Sequence, residues 1–436
     1  MPQQPNRATQ AIVDSQLIEQ GAYSPLDLLL NTGRLVYTDY ERWRRGELES
    51  LDDVLRGNPQ KIKTQLESAD HYARTLQLVA EQQEFFAWRA PLPLPQDGVP
   101  PDGSPQDRLP EDGQATERKT SEPKLLRVSV DKALQELLSV RFVSQQQSPQ
   151  LDMFFDNPVV AIVNELAAAL ASGHGADAQH SLDKLYQQSP NHSDLAAYDQ
   201  LIDVLRHSAG PVSDSRQPLL ALQQAAPIAK RILGGQARDF MVPLWRRLAQ
   251  HLTDAAFIAE QADLHLSYAL LQAQDWAGAS TAIQATENWW RYSVLCLRLA
   301  ESAYRQQDSA QTLCAWFYLC WQFPDVAAQS LGSNTQPDPG MARRWHQFLD
   351  SEAELDPQHE FSSTDFPAWL LITEPGLIHI LMEDVAKGES APEQVYRLSH
   401  QLFTARHNAD AKREMDLRKQ LQEHHPGLFE YLKTRL

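Results

Sequence analysis

A stretch rich in proline, glycine and aspartate, residues 91–123, limits how this chain can fold more than any other feature. It contains the run PLPLPQDGVPPDGSPQDRLPEDG and hardly any apolar side chains. Such a segment cannot bury enough apolar surface to offset the conformational entropy lost on ordering. We therefore interpret residues 91–123 as a disordered linker between two folded parts. The alternative is that its prolines dock on a proline-recognising module.

Residues 1–90, which precede the linker, have the pattern of a small helical domain. Ser24-Pro25 is typical of a helix start, with serine as the cap and proline at the first helical position. A second helix is predicted from Tyr37 to about Arg45. A third is predicted from Pro59 to about Trp88, because apolar side chains recur there every three or four residues.

Residues 124–436, which follow the linker, are predicted to form one helical-repeat domain. A short strand at Leu126–Val130 and a helix come first; from Asp156 onward, helical patterns follow one another, separated by Gly, Pro, Asn and Asp. The alternating β-branched runs that mark a sheet are missing from this part. The predicted fold class is all-α: an α-α helical-repeat, solenoid-like array with a small helical N-terminal domain. The apolar segment Phe366–Ile372 fits a core element, a strand or a contact site.

Helical hairpins recur at a nearly constant spacing in this domain. The turns at Asp275 and Asp308 lie thirty-three residues apart, close to the tetratricopeptide period of roughly 34 residues. Three units share small or apolar residues at matching helical positions, and two of them are closed by a proline, which stops the second helix. The matching residues are Leu166, Ala169, Ala178, Leu182, Leu185 and Pro190; Leu266, Ser267, Leu270, Ala279 and Ile283; and Leu299, Ala300, Tyr304, Trp316, Leu319 and Pro324.

On these residues the chain resembles the tetratricopeptide-like family of helical repeats, over about a quarter of its length. The resemblance implies paired helices that form a groove for a protein or peptide. The chain departs from the family at Thr312, where a small alanine is usual, and the family's peptide-binding residues cannot be assigned to positions here. A helical array without true repeats is the alternative, and it predicts the same α-α architecture.

Charge and composition set limits on the partners of the chain. A net charge of −18 repels a phosphate backbone and therefore disfavours nucleic acid. No apolar run reaches roughly 18 residues, so no membrane span is predicted. The polar N-terminus lacks the layout of a signal peptide, which favours the cytoplasm. The three cysteines, Cys296, Cys314 and Cys320, are interpreted as small core residues, because their number is odd and their spacing fits no zinc knuckle.

Catalytic signatures are absent from the sequence. It contains no phosphate-binding Gly-Lys-Ser or Gly-Lys-Thr loop, no dinucleotide-binding glycine pattern and no Gly-x-Ser-x-Gly elbow. His359-Glu360 is not followed by the histidine of a zinc-protease helix. The sequence therefore predicts no catalytic residue, no cofactor and no metal site.

Tryptophan and arginine are concentrated in one region, where seven of the ten tryptophans lie between Trp245 and Trp345. Because these two residue types dominate interface hot spots, we predict a partner-binding groove there. Successive residues on a helix point about 100° apart, so one of the adjacent pair Trp289 and Trp290 is the better candidate for exposure. The alternative is that the rings fill gaps between helices. The candidate residues are Arg246, Trp289, Trp290, Arg291, Arg343 and Trp345.

A second candidate surface lies in the N-terminal domain, in the aromatic and basic segment Tyr37–Arg45. Its candidate contact residues are Tyr40 and Trp43, which would dock either on the acidic repeat domain of the same molecule or on a partner. Together these patterns predict a non-catalytic adaptor or scaffold that binds a protein or peptide of unknown identity. The alternatives are a structural subunit of a larger complex and a helical enzyme without a recognisable motif.

Overall fold

The computed structural model describes residues 7–20, 22–88, 124–143, 158–208, 214–253, 255–333, 338–352 and 361–435. The predicted linker, residues 91–123, lies outside them. The chain divides into two compact units. Unit 1 comprises residues 1–30, 34–209 and 225–240, and unit 2 comprises residues 31–33, 210–224 and 241–436.

The described residues form twenty α-helices and five short strands, so the all-α prediction is confirmed. The first ten helices are α1 (Arg7–Gln20), α2 (Pro25–Asn31), α3 (Tyr37–Arg44), α4 (Pro59–Thr75), α5 (Lys132–Leu138), α6 (Pro158–Ala171), α7 (Gly175–Gln188), α8 (Leu195–Ser208), α9 (Arg216–Leu233) and α10 (Ala237–His251). Those that follow in unit 2 are α11 (Leu266–Gln272), α12 (Trp276–Ala285), α13 (Ser293–Arg305), α14 (Ser309–Gln322), α15 (Pro324–Leu331), α16 (Pro339–Glu352), α17 (Phe366–Thr373), α18 (Ala391–His407), α19 (Ala411–His424) and α20 (Pro426–Arg435).

Unit 1 contains a small antiparallel sheet that the sequence did not predict. Its strands are β1 (Ala22–Tyr23), β2 (Val79–Gln82) and β5 (Val140–Val143), in the order β1-β5-β2. A separate pair joins β3 (Phe85–Phe86) to β4 (Leu125–Leu126). The N-terminal part of the chain is therefore mixed helix and strand, and its sheet takes its central strand from beyond residue 123.

The third predicted helix, from Pro59 to about Trp88, is shorter in the structure. The helix α4 starts at Pro59 as expected, where the Asn58 side chain accepts hydrogen bonds from the amides of residues 60 and 61. It ends at Thr75, and Gln77 then adopts a positive φ of 59° that redirects the chain into β2. Leu76 and Val79 continue the helical spacing of three or four residues, so periodicity alone did not indicate where the helix ends.

Four helical hairpins in the described chain share one turn geometry. A residue with φ between 56° and 74° ends the first helix, and the next residue, with ψ between 76° and 87°, precedes the second. These turns are Gly173-His174, Gln274-Asp275, Gln307-Asp308 and Ala409-Asp410. At the last three, the aspartate accepts a hydrogen bond from an amide three residues ahead and so caps the second helix. The two turns that indicated the repeat period are both of this kind.

The core of unit 2 is built from aromatic and aliphatic side chains of α13 to α20. Helix α14 is buried on nearly every side, from Thr312 to Trp321. The segment Phe366–Ile372, whose role the sequence left open, is helical and fully buried. The last two helices, α19 and α20, are joined at His425, and Leu421 and Tyr431 place both in this core. No helix among the described residues is long and apolar enough to cross a membrane.

Candidate functional site

Two of the predicted groove rings, Trp289 and Trp345, lie in the core of unit 2. Trp289 is 8% exposed and Trp345 is 3% exposed. Trp289 packs edge-on against Tyr318, and Trp345 packs against Phe348 and Phe366. Neither indole can form the wall of an open groove, so the interpretation that they fill gaps between helices describes their positions.

Trp290 is the exposed member of the adjacent pair, because it is only partly buried. The ammonium of Lys387 lies 4.1 Å from the centre of its ring and 5.7 Å from that of Tyr318. Such a cation over an indole is worth roughly 0.5–1 kcal/mol at an exposed site. Lys387 is fixed there because Arg397 donates to the carbonyls on both sides of it, those of Ala386 and Gly388. The face of Trp290 is thus covered by the protein's own lysine.

The three predicted arginines of unit 2 occupy different environments. Arg291 and Arg343 are exposed, whereas Arg246 is half-buried on α10. Arg343 is separated from Trp345 by a single residue, Arg344, which faces a cleft described below. Trp289 contacts Trp290 directly, whereas Trp345 packs against Phe366 elsewhere in the same core.

The N-terminal candidates, Tyr40 and Trp43, are also buried. Trp43 is fully buried, with its Nε1 donating to the Arg127 carbonyl at 2.8 Å and its ring against Phe85. Tyr40 is 6% exposed and accepts a hydrogen bond at 2.6 Å from Arg44. These two residues are therefore part of the core of unit 1 and are not exposed for a partner.

A buried carboxylate, Asp239, completes this part of unit 1. The Tyr37 hydroxyl donates to its Oδ1 at 3.0 Å, and the guanidinium of Arg44 lies 4.0 Å from its Oδ2. Arg44 also lies over the ring of Trp88, at 4.9 Å. Burial raises the pKa of the Asp239 carboxyl to about 6, against the opposing effects of Arg44, the Tyr37 hydrogen bond and Arg238. The arrangement holds the segment 225–240 to the aromatic residues of α3.

A cleft of about 390 Å³ opens in unit 2 beside the hairpin of α13 and α14. Its volume falls in the range of sites that bind small molecules or inserted side chains, roughly 300–1,000 Å³. Most of its lining comes from three elements: the hairpin of α13 and α14, the first turns of α16, and the segment 374–380 that precedes α18. The lining residues are Thr32, Tyr304, Gln307, Ser309, Thr312, Leu313, Asp338, Met341, Arg344, Leu377 and Ile380.

Apolar and polar groups share the lining of this cleft. Leu313, Met341, Leu377 and Ile380 are its apolar members, and Ile380 is 45% exposed. An isoleucine with nearly half its surface in water gains free energy when a partner covers it, at roughly 25 cal/mol per Å² of apolar area. The cleft therefore offers apolar surface to a partner as well as hydrogen-bonding groups.

Asp338 is the buried charge of the cleft. It precedes α16, and its Oδ1 accepts from the amides of Gly340 at 2.8 Å and Met341 at 3.1 Å. Only 9% of the residue is exposed. Burial raises the pKa of the Asp338 carboxyl, and these amide hydrogen bonds, with Arg344 and Arg343, oppose that rise. The position of Asp338 follows from the sequence Asp-Pro-Gly, in which a capping side chain precedes a proline at the first helical position.

Arg344 is already neutralised by Glu374. Its Nε and Nη2 donate to the two carboxylate oxygens of Glu374, both at 2.8 Å. This bidentate geometry is the strong form of an arginine–carboxylate contact. It raises the pKa of Arg344, with the Glu374 hydrogen bond as the main cause. The cleft thus holds one neutralised pair and the separate carboxylate of Asp338.

A serine–histidine contact and two cysteine thiols lie elsewhere in unit 2. A hydroxyl and an imidazole do meet at 2.9 Å, where Ser267 Oγ contacts His265 Nδ1, but Ser267 is fully buried. Burial and the nearby Arg298 lower the pKa of His265 to about 4. Burial raises the pKa of the Cys296 thiol to about 12 and that of Cys314 to about 11. Such thiols are poor nucleophiles at neutral pH, since the thiolate is the reactive form.

The cleft residues were not among the sequence-predicted candidates. The concentration of tryptophan and arginine pointed to rings that lie in the core. The cleft is instead lined by residues from four separate stretches of the chain. One local signal was present: Asp338-Pro339-Gly340 has the pattern of a helix start. Such a pattern predicts where a helix starts, but it does not indicate that the capping side chain lines a cleft.

Comparisons with known proteins assign no family to this chain. The described residues contain no group of three or more His, Cys, Asp or Glu side chains arranged to hold a metal ion. No protein-family model matches the sequence, and no curated protein and no solved structure matches it either.

Proposed function

We propose that this chain is a non-catalytic adaptor that binds a segment of another protein in the cleft of unit 2. The observation that carries the proposal is the composition of the cleft. Exposed apolar surface at Ile380 lies beside hydrogen-bonding groups such as Tyr304 and the carboxylate of Asp338. Binding sites combine apolar surface, which supplies affinity, with a few placed polar groups, which supply specificity.

The groups around the cleft support binding better than catalysis. Among the described lining residues there is no histidine or cysteine, and the Thr312 hydroxyl donates to the Asp308 carbonyl at 2.7 Å. A nucleophilic serine or threonine requires a base within hydrogen-bond reach. Ser267 does contact the imidazole of His265, but Ser267 is fully buried and a substrate could not reach it.

A pull-down with matched surface variants tests the proposal. The full chain, Ile380→Glu and Met415→Glu serve as baits in lysate of the source organism, and captured proteins are identified by mass spectrometry. Ile380 and Met415 are both exposed apolar residues of unit 2, at 45% and 66%, but only Ile380 lines the cleft. We expect one partner to be retained by wild type and by Met415→Glu and lost from Ile380→Glu.

A fourth bait separates the cleft from the groove predicted around the tryptophans. Trp290→Ala/Arg291→Ala alters the exposed member of the tryptophan pair and its basic neighbour, and we expect it to retain the partner. Loss of the partner from this double variant alone would place the contact at Trp290 instead. Partners shared equally by all four folded baits would contradict the proposal.

A further inference from the structure

The cleft carboxylate Asp338 forms no ion pair with any residue in the described part of the chain, although Arg344 and Arg343 act on it electrostatically. Its Oδ1 accepts two backbone amides, and no described residue donates a hydrogen bond to its Oδ2 or forms an ion pair with the side chain. A carboxylate that is nine-tenths buried is costly unless it is paired. Amide hydrogen bonds and the positive end of the α16 helix offset a part of that cost. Asp338 itself lines the cleft, which a ligand can enter.

The arginine of the cleft does not supply the missing partner. Arg344 directs two nitrogens to Glu374 at 2.8 Å each, so its charge is already compensated. The net charge among the lining side chains and this pair is therefore negative. The whole chain carries −18, which attracts basic partners over a longer range.

We propose that the cleft of unit 2 receives a lysine side chain of the partner protein, with its ammonium bound to Asp338 Oδ2. This inference rests on the proposed function and identifies what the partner inserts. The aliphatic stem of a lysine would pack on Leu313, Met341 and Leu377, which line the same cleft. The Tyr304 hydroxyl is a second acceptor among the lining groups.

Geometry favours lysine over arginine. A guanidinium binds a carboxylate best through two parallel hydrogen bonds, one to each oxygen. At Asp338 one oxygen is already occupied by the amides of Gly340 and Met341. A single free oxygen suits a compact ammonium, which donates in any direction around its axis.

A peptide selection tests the assignment without a known partner. A phage-displayed library of random heptapeptides is panned against the full chain, Asp338→Asn and Asp410→Asn. Asparagine keeps an oxygen that accepts the capping amides, so both variants retain their helix starts. Asp410 is the matched control, because it caps α19 through the amide of Arg413 and does not line the cleft.

We expect lysine to be enriched at one peptide position with wild type and with Asp410→Asn, and not with Asp338→Asn. A synthetic selected peptide should bind wild type at least about tenfold more tightly than its norleucine analogue, which keeps the stem and lacks the charge. That difference should disappear in Asp338→Asn.

The other outcomes overturn the assignment in distinguishable ways. Enrichment of apolar peptides that Ile380→Glu abolishes and Asp338→Asn leaves unchanged removes the lysine and keeps the cleft as a binding site. Arginine in place of lysine contradicts the choice of cation. Peptides whose binding is unaffected by Ile380→Glu and by Asp338→Asn overturn both this inference and the proposed function.

Discussion

Asp239 places a carboxyl group in the interior of unit 1, where its protonation state affects stability. Asp239 is 8% exposed, and Tyr37, Arg44 and Arg238 are its polar and charged neighbours. The pKa of this carboxyl is about 6 in the folded protein, against an ordinary value of 3.8, so the folded state holds the proton more tightly than the unfolded chain does. Stability from this group is therefore complete below the ordinary value and is lost as the pH rises through about 6.

Asp239→Asn tests this at the residue scale. Relative to the variant, the free energy of unfolding of wild type should fall by up to about 3 kcal/mol between about pH 4 and pH 7, from a pKa rise of about two units. The amide keeps an acceptor for the Tyr37 hydroxyl, so the comparison isolates the charge. Urea titrations of both proteins at several pH values give the difference.

The control for this comparison is Asp203→Asn, which alters an exposed carboxylate paired with Arg206 on α8. It should leave the pH dependence of unfolding as in wild type. A wild-type advantage over Asp239→Asn that grows with rising pH would contradict the assignment.

The sequence indicated which aromatic residues lie close together, but it did not indicate which of them are exposed. The sequence grouped Tyr40 with Trp43, and their rings are indeed 5.9 Å apart, but both are in the core. Helical spacing indicated that Trp289 and Trp290 differ in exposure, which the structure bears out. Which one faces inward depends on Tyr318, which contacts both rings and belongs to a different helix.

At the scale of elements, the shared hairpin turn places three non-glycine residues at positive φ. Gln274, Gln307 and Ala409 have φ between 56° and 61°, where a Cβ atom costs roughly 1–2 kcal/mol. Gly173 holds the same position in the hairpin of α6 and α7 with φ 74°. This cost is offset in part because the turn lets the following aspartate, Asp275, Asp308 or Asp410, cap the next helix.

Exchanging residues between two of these turns measures that cost. Ala409→Gly should raise the free energy of unfolding by about 0.5–1 kcal/mol, and Gly173→Ala should lower it by about 1–2 kcal/mol. A Cβ added at Gly173 meets nothing within 4 Å, so its effect is confined to the backbone. Chemical denaturation of both variants provides the measurement; equal shifts in the same direction would refute the shared geometry.

Helix starts could be predicted from the sequence better than strands, since the one predicted strand, Leu126–Val130, overlaps β4 at Leu126 alone. Pro25 and Pro59 begin helices where the capping and proline patterns indicated, and Tyr37 begins one where aromatic residues recur at helical spacing. The strands are two to four residues long, and no alternating pattern can establish itself over that length. β2 forms because β5 pairs with it along four residues. This partner lies far away in the sequence, so the local pattern around β2 does not indicate it.

At the scale of the molecule, unit 1 combines segments from both sides of residues 91–123. β5 lies between β1 and β2, and the Trp43 indole donates to Arg127. Residues 124–436 were predicted to form one repeat domain, but residues 125–143 contribute two strands that pair with strands from before residue 91. Composition identified the segment 91–123 but not which parts of the chain pair across it.

Cutting the chain within this segment tests the arrangement. With a specific protease site inserted between residues 105 and 106, the two fragments should remain associated in gel filtration after cleavage, because the sheet and the Tyr37–Asp239 hydrogen bond join them. The same cut in Phe142→Asp, which places a charge at a fully buried position of β5, should release the fragments. Wild-type fragments that separate would contradict the pairing.

The order of strands in unit 1 also affects how the protein is made. Because the central strand β5 is the last of the three in the sequence, β1 and β2 leave the ribosome without the partner that lies between them. They expose unpaired backbone groups until residue 143 has been synthesised, about sixty residues after β2 ends at residue 82. The nascent chain therefore passes through an interval in which its first eighty or so residues depend on slow elongation, chaperones or their own helices to avoid aggregation.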